Sequence, residues 1–164
     1  MASSIRIKRE LMRLDREKAD GIYLVNDLIN DSDLTEIFVD IQVPGNPLYS
    51  NDTYRVRFRI PPMYPLEVPW VQFVRTSPQI LDSQHTQFFK IPIHPHVYSN
   101  GHICLDILGD GWSPIHTIMS VSLSLQSMLS GNDIAERPEG DEEYIKRAPE
   151  NPKETSWVYH DDTV

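Results

Sequence analysis

The clearest periodic signal in the chain is an alternation of apolar and polar residues in two stretches near its middle. In Ile37–Val43 every second residue is apolar, and in Tyr54–Ile60 four apolar residues alternate with three arginines. A period of two places successive side chains on opposite faces, so both stretches are predicted to be half-buried β-strands. Shorter runs at Ile22–Asn26 and Val68–Val74 predict two further strands. Together the four predict an antiparallel meander.

Two helices flank the predicted meander. Residues 5–19 carry apolar side chains at the spacing of one helix face, and Gly21 ends the pattern. Residues 117–130 show the same spacing, with Thr117 suited to cap the helix and Gly131 to end it. A helix, a four-stranded meander, a loop and a second helix predict an α+β fold.

The connections between these elements are less regular. Pro61–Pro62 and then Tyr64–Pro65 are expected to continue the chain in an extended form, because proline cannot donate to a β-ladder. Arg75–Ile91 has no clear periodicity and is expected to be a long loop. Beyond Asn132 the chain is acidic and rich in proline, which predicts a loosely ordered segment.

Composition places these elements in one globular domain. The chain has 164 residues, of which 40% are hydrophobic and 24% charged, an ordinary balance for a protein with a buried core. No run approaches the roughly 18 apolar residues of a membrane span, and the N-terminus lacks the apolar stretch of a secretory signal. The single cysteine, Cys104, excludes an internal disulfide, so the cytoplasm or the nucleus is the expected compartment.

The charge is unevenly distributed along the chain. The net charge of −9 argues against general nucleic-acid binding, which depends on neutralising phosphates. Residues 1–18 nevertheless hold six basic and three acidic side chains, whereas residues 132–164 hold ten acidic and four basic ones. A basic first helix on an acidic protein suits either a docking surface for acidic partners or a solvated helix face. Charge alone leaves both readings open.

Cys104 has an unusual context for a lone cysteine. Such a residue is more often a small core side chain than a nucleophile. Here it lies in irregular chain between the predicted sheet and the second helix, among polar and turn-forming residues, where functional groups are often displayed. The stretch reads HPHVYSNGHICLDIL over residues 94–108, followed by WSP at residues 112–114.

This stretch resembles the ubiquitin-conjugating enzyme family. The family carries His-Pro-Asn, then Asn-Gly-x-Ile-Cys-Leu-Asp-Ile-Leu, then Trp-Ser-Pro, and every element is present here in order except that His96 replaces the asparagine. Arg9–Leu11 and Tyr64–Pro65 agree with the family's flanking segments. The resemblance covers roughly residues 5–130. It implies the ubiquitin-conjugating fold, with a catalytic-cysteine loop and C-terminal helices.

A closer resemblance links the chain to the W-type members of the family. It rests on His96, on His102 and on the tail from Asn151 to Thr163. That subfamily is associated with attaching ubiquitin to the α-amino group at a protein's N-terminus. The implied organisation is a catalytic domain over residues 1–150, with a core at 5–131 and an insertion at 75–89, and a W-like tail over 151–164.

The resemblance also implies roles for residues of the catalytic loop. Ubiquitin would arrive from an activating enzyme that uses ATP and magnesium, and Cys104 would take it as a thioester. His96 stands at the asparagine position and is a catalytic candidate, because an imidazole N–H could donate there, although its geometry differs from that of an amide. No metal or other cofactor is expected to be bound. Loop support is assigned to His94, Asn100, His102, Asp106 and Trp112.

Partner surfaces follow from the resemblance residue by residue. The implied partners are ubiquitin, the activating enzyme, RING-type ligases and substrates with flexible N-termini, with no nucleic acid and no membrane. Leu66 and Ile115 could instead pack in the core. Asp133 and Glu136 are candidates for orienting the acceptor amine, but the alignment there is too poor to assign them. The expected contact residues are Arg6, Arg9, Leu66, Ser113, Pro114 and Ile115.

Other functions use the same residue types. His94, His96, His102 and Cys104 are permissible zinc ligands, although their spacing matches no familiar zinc motif. A cysteine hydrolase would need a base paired with the thiol. Within the resembled family, the alternatives are a lysine-directed enzyme, for ubiquitin or a related modifier, and a non-catalytic adaptor of the same fold.

Overall fold

The computed structural model describes residues 2–76 and 88–154. The insertion predicted at 75–89 lies mostly outside these residues, and so does most of the tail predicted at 151–164. The bounds of the strands differ from the predicted ones by one or two residues. The helices and strands are α1 (Ala2–Glu17), β1 (Ile22–Leu24), β2 (Glu36–Ile41), β3 (Tyr54–Arg59), β4 (Trp70–Val74), α2 (Ile118–Ser130) and α3 (Asp141–Arg147).

The four strands form one antiparallel sheet in the order β1-β2-β3-β4, which confirms the predicted meander. The register brings opposite charges together on the outer face. Arg55 lies opposite Asp40 and donates hydrogen bonds of 2.8 and 2.9 Å to its carboxylate. Arg59 lies opposite Glu36, with 3.5 Å between Nε and Oε1. A slip of one residue would turn these charges toward the core, so the alternation fixes the pairing.

The hydrophobic core lies between the inner face of the sheet and helices α1 and α2. The regularly spaced apolar residues of β2 and β3 point to this face, whereas Phe38 lies on the outer face with Glu36 and Asp40. Burial of each such side chain contributes about 1.5–3 kcal/mol, which makes this layer the main source of stability. The best-buried members are Ile37, Val39, Ile41, Val56, Phe58, Phe73, Val97, Ile118, Val121, Leu125 and Leu129.

The helix ends follow local sequence signals. Helix α1 starts three residues before the predicted start, and Gly21 leads the chain away with a φ of +76°. Helix α2 is capped as predicted. The Thr117 side chain accepts a hydrogen bond of 3.0 Å from the Ser120 N–H, and Ser120 Oγ accepts one of 2.8 Å from the Thr117 N–H. This reciprocal pair is a capping box.

Glu10 is a buried carboxylate that joins three parts of the fold. It accepts hydrogen bonds from the Tyr64 hydroxyl, at 2.9 and 3.0 Å, and from the Ile118 N–H at 2.9 Å, and it forms an ion pair with Arg6. The Ile118 N–H belongs to the first turn of α2, where a negative charge is favoured. Burial, followed by the charge of Glu10, raises the pKa of Tyr64.

The segment after β3 is not extended. Residues 62–66 form turns in which the Tyr64 N–H donates to the Pro61 carbonyl at 3.0 Å and the Leu66 N–H donates to Met63 at 2.8 Å. The expectation of an extended chain is therefore wrong. Proline excludes a ladder donor but leaves the carbonyl of Pro61 free to accept, and this local hydrogen bonding closes the turns.

Between Asn132 and Glu154 the chain contains α3 and is held to the rest of the fold by hydrogen bonds, so the prediction of a loosely ordered segment is wrong for these residues. The side chain of Asn46 donates to the carbonyls of Leu129, Ser130 and Asn132 at 2.7–3.1 Å, which directs the chain as it leaves α2. Further on, Lys153 donates to Glu67 Oε1 at 2.7 Å. Polar side chains rather than an apolar stripe hold this segment, which is why hydrophobic patterning did not reveal it.

Candidate active site

The cysteine segment, defined as residues 94–104, runs beside the edge strand β4. The Phe73 N–H donates to the Gly101 carbonyl at 3.0 Å, and Gln72 forms a bridge with His102. Gly101 has a φ of +93°, and a Cβ there would lie 2.0 Å from the carbonyl oxygen of Phe73. Only glycine permits both this conformation and this close approach.

His94 connects α2 to the cysteine segment through both ring nitrogens. Its Nδ1 accepts a hydrogen bond of 2.9 Å from the His96 N–H, so the proton must sit on Nε2, which lies 3.2 Å from the Met128 carbonyl. Burial, with a smaller contribution from His96, lowers the pKa of His94 to about 4. The ring is therefore neutral at physiological pH and suited to a structural role.

Cys104 is held through its main chain. Its N–H donates to the His96 carbonyl at 2.8 Å, and Val97 bridges to Ile103, so the two ends of the segment lie side by side. Cys104 itself is half-buried. The imidazole of His96 is exposed, so the residue fixes the backbone of the segment while its ring faces the surroundings. The arrangement presents a thiol on a constrained loop.

The turn before Cys104 is also fixed by side chains. Asn100 Oδ1 accepts a hydrogen bond of 3.0 Å from the His102 N–H, which is a local turn of the Asx type. His102 is buried, and its Nδ1 lies 2.8 Å from the Tyr144 hydroxyl. Burial lowers the pKa of His102, which a hydrogen bond to the Glu150 backbone partly offsets.

Three side chains that follow α2 contact the cysteine segment and the residues just before it. They are Arg137, Asp141 and Tyr144, and together they are called the C-terminal clamp below. The Arg137 guanidinium donates to the carbonyls of residues 91, 92 and 97 at 2.6–3.2 Å. Asp141 Oδ1 accepts a hydrogen bond of 2.8 Å from the Ser99 N–H. The Tyr144 ring lies on the Tyr98 ring, with 3.9 Å between the centroids.

Sequence reasoning missed the clamp, although one signal pointed to its helix. Residues 141–143 are all acidic and residues 146–147 are both basic, which is the charge order that a helix dipole favours. That pattern predicts a short helix at α3. It carries no information about what the helix contacts, because Tyr144 and His102 are 42 residues apart along the chain.

The other two support residues lie downstream of Cys104. The carbonyl of Asp106 accepts hydrogen bonds from the N–H groups of Gly109 and Gly111, at 2.8 and 3.0 Å, and thereby closes a tight loop. Trp112 Nε1 donates to the Pro65 carbonyl at 2.9 Å, and its ring lies 6.1 Å from that of Tyr64. Trp112 therefore ties this loop to the turn at residues 62–66.

Leu66, Ser113, Pro114 and Ile115 together form what is called the docking edge below. Leu66 is 72% exposed and Ile115 is 81% exposed, so the core-packing alternative is wrong for both. The Trp112 hydrogen bond to Pro65 brings the two parts of the edge together.

The two basic residues of the predicted partner surface differ. Arg6 donates to the carbonyls of Pro114 and His116 at 3.2 and 3.3 Å, and thus supports the docking edge from α1. Arg9 is exposed, as are Asp133 and Glu136 beyond α2.

The histidines are poorly placed for the zinc alternative. Both nitrogens of His94 face hydrogen-bond partners within the protein, and Nδ1 of His102 faces Tyr144. Within residues 2–76 and 88–154, no group of three or more histidine, cysteine, aspartate or glutamate side chains is arranged to hold a metal ion. In those same residues no helix has the length and apolar character needed to cross a membrane.

Comparison with known proteins gives a consistent result. The family described as ubiquitin-conjugating enzyme matches residues 6–156. The chain is 38% identical to a probable ubiquitin-conjugating enzyme E2 W-A of Danio rerio over 96% of this chain and 95% of that protein. It is 36% identical to the ubiquitin-conjugating enzyme E2 W of Caenorhabditis elegans over 99% of this chain and 98% of that one.

The fold has a solved counterpart. The crystal structure of the ubiquitin-conjugating enzyme E2 UbcA1 from Agrocybe aegerita superposes with a TM-score of 0.79 at 39% identity, covering 92% of this chain and 98% of that one. The helix, the four-stranded meander and the C-terminal helices are those of the ubiquitin-conjugating fold. The chain therefore belongs to the ubiquitin-conjugating enzyme family, whose members are transferases that carry ubiquitin as a thioester.

Proposed function

We propose that Cys104 accepts ubiquitin from the activating enzyme as a thioester and passes it to the α-amino group at the N-terminus of a protein substrate. The observation that carries this proposal is the constrained presentation of the half-buried thiol, whose backbone is tied to His96 and, through His94, to α2. A fixed thioester reduces the orientational cost of attack by an incoming amine.

Each step of the transfer conserves atoms and charge. The Cys104 thiolate attacks the carbonyl of the activated ubiquitin thioester, and the thiolate of the activating enzyme leaves. The neutral amine of the substrate then attacks the new thioester and forms a C–N bond. The C–S bond breaks, Cys104 leaves as a thiolate, and the amine's extra proton passes to solvent. The tetrahedral intermediate carries an oxyanion, for which the exposed His96 imidazole is one candidate donor.

The preference for an α-amine rests on the protonation of the two possible nucleophiles. An α-amine of pKa about 7.8 is roughly 20% neutral near pH 7.2, whereas a lysine of pKa about 10.4 is neutral less than roughly 0.1% of the time. A site that gives little help in deprotonating its nucleophile therefore favours the α-amine by about two orders of magnitude.

The Asp141 carboxylate contacts the cysteine segment, where its Oδ1 accepts a hydrogen bond from the Ser99 N–H. Asp133 and Glu136 are exposed. The names of the Danio rerio and Caenorhabditis elegans relatives support the same preference, because both are W-type enzymes.

The proposed cellular setting follows from the same chemistry. The enzyme works with ubiquitin, an activating enzyme that consumes ATP and magnesium, and RING-type ligases, and it holds no cofactor of its own. The substrates are proteins with flexible N-termini, because a free end must reach Cys104. A thioester-forming cysteine suits a reducing compartment, so the cytoplasm or the nucleus is the proposed location.

Charging followed by discharge tests the proposal in two stages. Incubation with ubiquitin, activating enzyme and ATP should give a conjugate that a reducing gel removes. Cys104→Ala should abolish it, and Cys104→Ser should form a more stable oxyester. A reductant-sensitive conjugate on the Cys104→Ala protein would overturn the assignment.

The second stage identifies the acceptor. The charged enzyme is offered free lysine, a lysine-free peptide with a free N-terminus, or the same peptide with its N-terminus acetylated. Discharge should be fast with the free peptide, slow with lysine and lost on acetylation. Equal discharge by lysine and the free peptide at matched concentration would contradict the α-amine preference and leave a lysine-directed enzyme.

A further inference from the structure

Helix α3 has an unusual attachment to the rest of the molecule. It is seven residues long, and none of its residues is buried. Asp141 and Tyr144 are the two residues of the helix that are half-buried, while the other five are exposed. Apolar packing therefore cannot account for the docking of α3, and these two side chains must hold it in place.

Both side chains contact the cysteine segment. The Asp141 carboxylate binds the N–H of Ser99 at 2.8 Å, and the Tyr144 hydroxyl lies 2.8 Å from Nδ1 of buried His102. The Tyr144 ring also covers the ring of Tyr98, at 3.9 Å between centroids. These contacts hold the two ends of the turn that leads to Cys104, at Ser99 and at His102. Since a short polar helix has little stability of its own, its position and that of the turn depend on each other.

The turn lies within electrostatic reach of the thiol. Burial raises the pKa of Tyr98, and the neighbouring charges of Cys104 and Asp141 raise it further. The ionisation of Tyr98 thus responds both to Cys104 and to Asp141 of the clamp. At its first residue, the segment is also fixed by His94, which bonds to the Met128 carbonyl of α2. The segment that carries Cys104 is therefore attached to both α2 and α3.

We propose that Asp141 and Tyr144 are positioning residues, which act through the turn at residues 98–102 to hold the Cys104 thioester in the geometry that an amine can attack. Neither side chain donates to or accepts from the reacting atoms in this role. The inference rests on the proposed function of Cys104 as the thioester-forming residue. It differs from a lysine-orienting role for Asp141, since a positioned thioester serves every nucleophile equally.

The test uses single-turnover discharge of the charged full-length enzyme. Tyr144→Phe keeps the ring and removes the hydroxyl. Asp141→Asn keeps the shape and the Oδ1 acceptor but removes the charge that strengthens the hydrogen bond from the Ser99 N–H. Glu142→Gln is the matched control, because Glu142 is exposed on the same helix. The rate is measured over a range of concentrations of the lysine-free peptide, and again with free lysine. The amount of chargeable enzyme and the melting temperature are measured for each protein.

Positioning predicts a specific combination of results. The maximal discharge rate should fall about tenfold in Tyr144→Phe and Asp141→Asn, because small displacements of a reacting group carry penalties of this size or larger. The peptide concentration at half-maximal rate should stay unchanged, and lysine discharge should fall by the same factor. The backbone amide NMR signals of residues 98–104 should shift in both variants, and the Glu142→Gln protein should match the parent enzyme.

Other results overturn the inference in distinguishable ways. Discharge at the parental rate in both variants would show that the clamp has no effect on Cys104. A loss confined to lysine discharge in Asp141→Asn would assign that carboxylate to lysine orientation instead. A rate that falls only in proportion to the chargeable fraction would indicate general destabilisation. Failure of the parent enzyme to charge on Cys104 would refute the proposed function itself, and this inference with it.

Discussion

The cysteine segment is followed closely along the chain by residues 113–115 of the docking edge, yet the segment and the edge are built in opposite ways. In the cysteine segment, polar atoms are satisfied from several directions: His94 binds α2, Gly101 binds β4, and the C-terminal clamp binds the turn between them. In the docking edge, Leu66 and Ile115 extend into the surroundings at 72% and 81% exposure.

This difference matches two separate requirements, for chemistry at the thioester and for recognition of partners. Chemistry at a thioester needs a fixed geometry, so the segment that carries the thiol is over-constrained by hydrogen bonds. Partner recognition, the role predicted for the edge, needs apolar area that becomes buried only in a complex, and Leu66 and Ile115 offer such area. Substitutions in the first region should therefore alter stability or chemistry, whereas substitutions in the second should alter binding and leave the fold intact.

The largest effect on stability is expected at Gly101. In Gly101→Ala, the added Cβ would meet the Phe73 carbonyl oxygen at 2.0 Å and would also occupy a φ of +93°. We expect a loss of about 3 kcal/mol in the free energy of unfolding, which chemical denaturation measures.

Gly45→Ala is the matched control, because a Cβ there meets no heavy atom within 4 Å. Its free energy of unfolding should change by less than about 0.5 kcal/mol. Equal effects at the two glycines would show that the segment tolerates displacement, and the contrast with the docking edge would then fail.

Acid should weaken the cysteine segment through His94. Its folded-state pKa of about 4 lies below the usual 6.5, so the neutral ring stabilises the fold above pH 6.5 and this contribution is lost as the pH falls toward 4. The loss should be about 1 kcal/mol by pH 5.5, as the linkage of protonation to unfolding requires. His102, whose pKa is also lowered, contributes in the same direction.

Denaturation with urea at pH 7.5 and 5.5 measures this loss. The His94→Gln protein should be less stable at both pH values but should lack the His94 share of the acid effect. His116→Gln leaves His94 in place and should keep that share. An undiminished acid effect in His94→Gln would show that other groups cause it.

The sequence predicted the sheet, and it singled out Cys104 as the candidate nucleophile, from local patterns. Strands β2 and β3 are predicted from alternation within six residues each. Cys104 is recognised from the residues on either side of it. The clamp could not be predicted in this way, since the partners of Asp141 and Tyr144 lie 42 residues earlier in the chain. Polar contacts between distant residues leave no periodic trace.

The docking edge should respond in binding rather than in stability. Leu66→Ala removes an exposed apolar side chain, so the melting temperature should stay within about 2 °C, while ligase-stimulated discharge should fall about tenfold. Charging by the activating enzyme and unstimulated discharge should be unchanged. Ile115→Ala should behave in the same way.

Leu28→Ala is the control for this prediction, since Leu28 is also exposed, at 47%, but lies after β1 and outside the docking edge. It should leave ligase-stimulated discharge at the parental rate. A fall in melting temperature of many degrees in Leu66→Ala, or an equal loss of ligase response in Leu28→Ala, would remove the edge from partner recognition.

The smallest effects are expected at Arg6 and Arg9, the two basic residues of α1 in the predicted partner surface. They test which residues of α1 support the fold and which serve recognition. Arg6 and Arg9 were both predicted to meet partners, but Arg6 also bonds to the Pro114 and His116 carbonyls. Arg6→Ala should therefore cost about 1 kcal/mol of stability, because two carbonyls and the buried Glu10 carboxylate lose a charged donor that is itself partly exposed, while Glu10 keeps its hydrogen bonds from Tyr64 and Ile118. Arg9→Ala should cost less than about 0.5 kcal/mol, since Arg9 is exposed.

Both arginine variants should charge about threefold more slowly if the basic face of α1 attracts the activating enzyme, and added salt should shrink that difference by screening the attraction. Stopped charging reactions at two salt concentrations measure it, with denaturation curves run in parallel. Slower charging in Arg6→Ala alone would mean that Arg6 acts by supporting the docking edge rather than by contacting a partner. In that case Arg6 would belong to the residues that support the structure, and Arg9 would contribute neither to stability nor to charging.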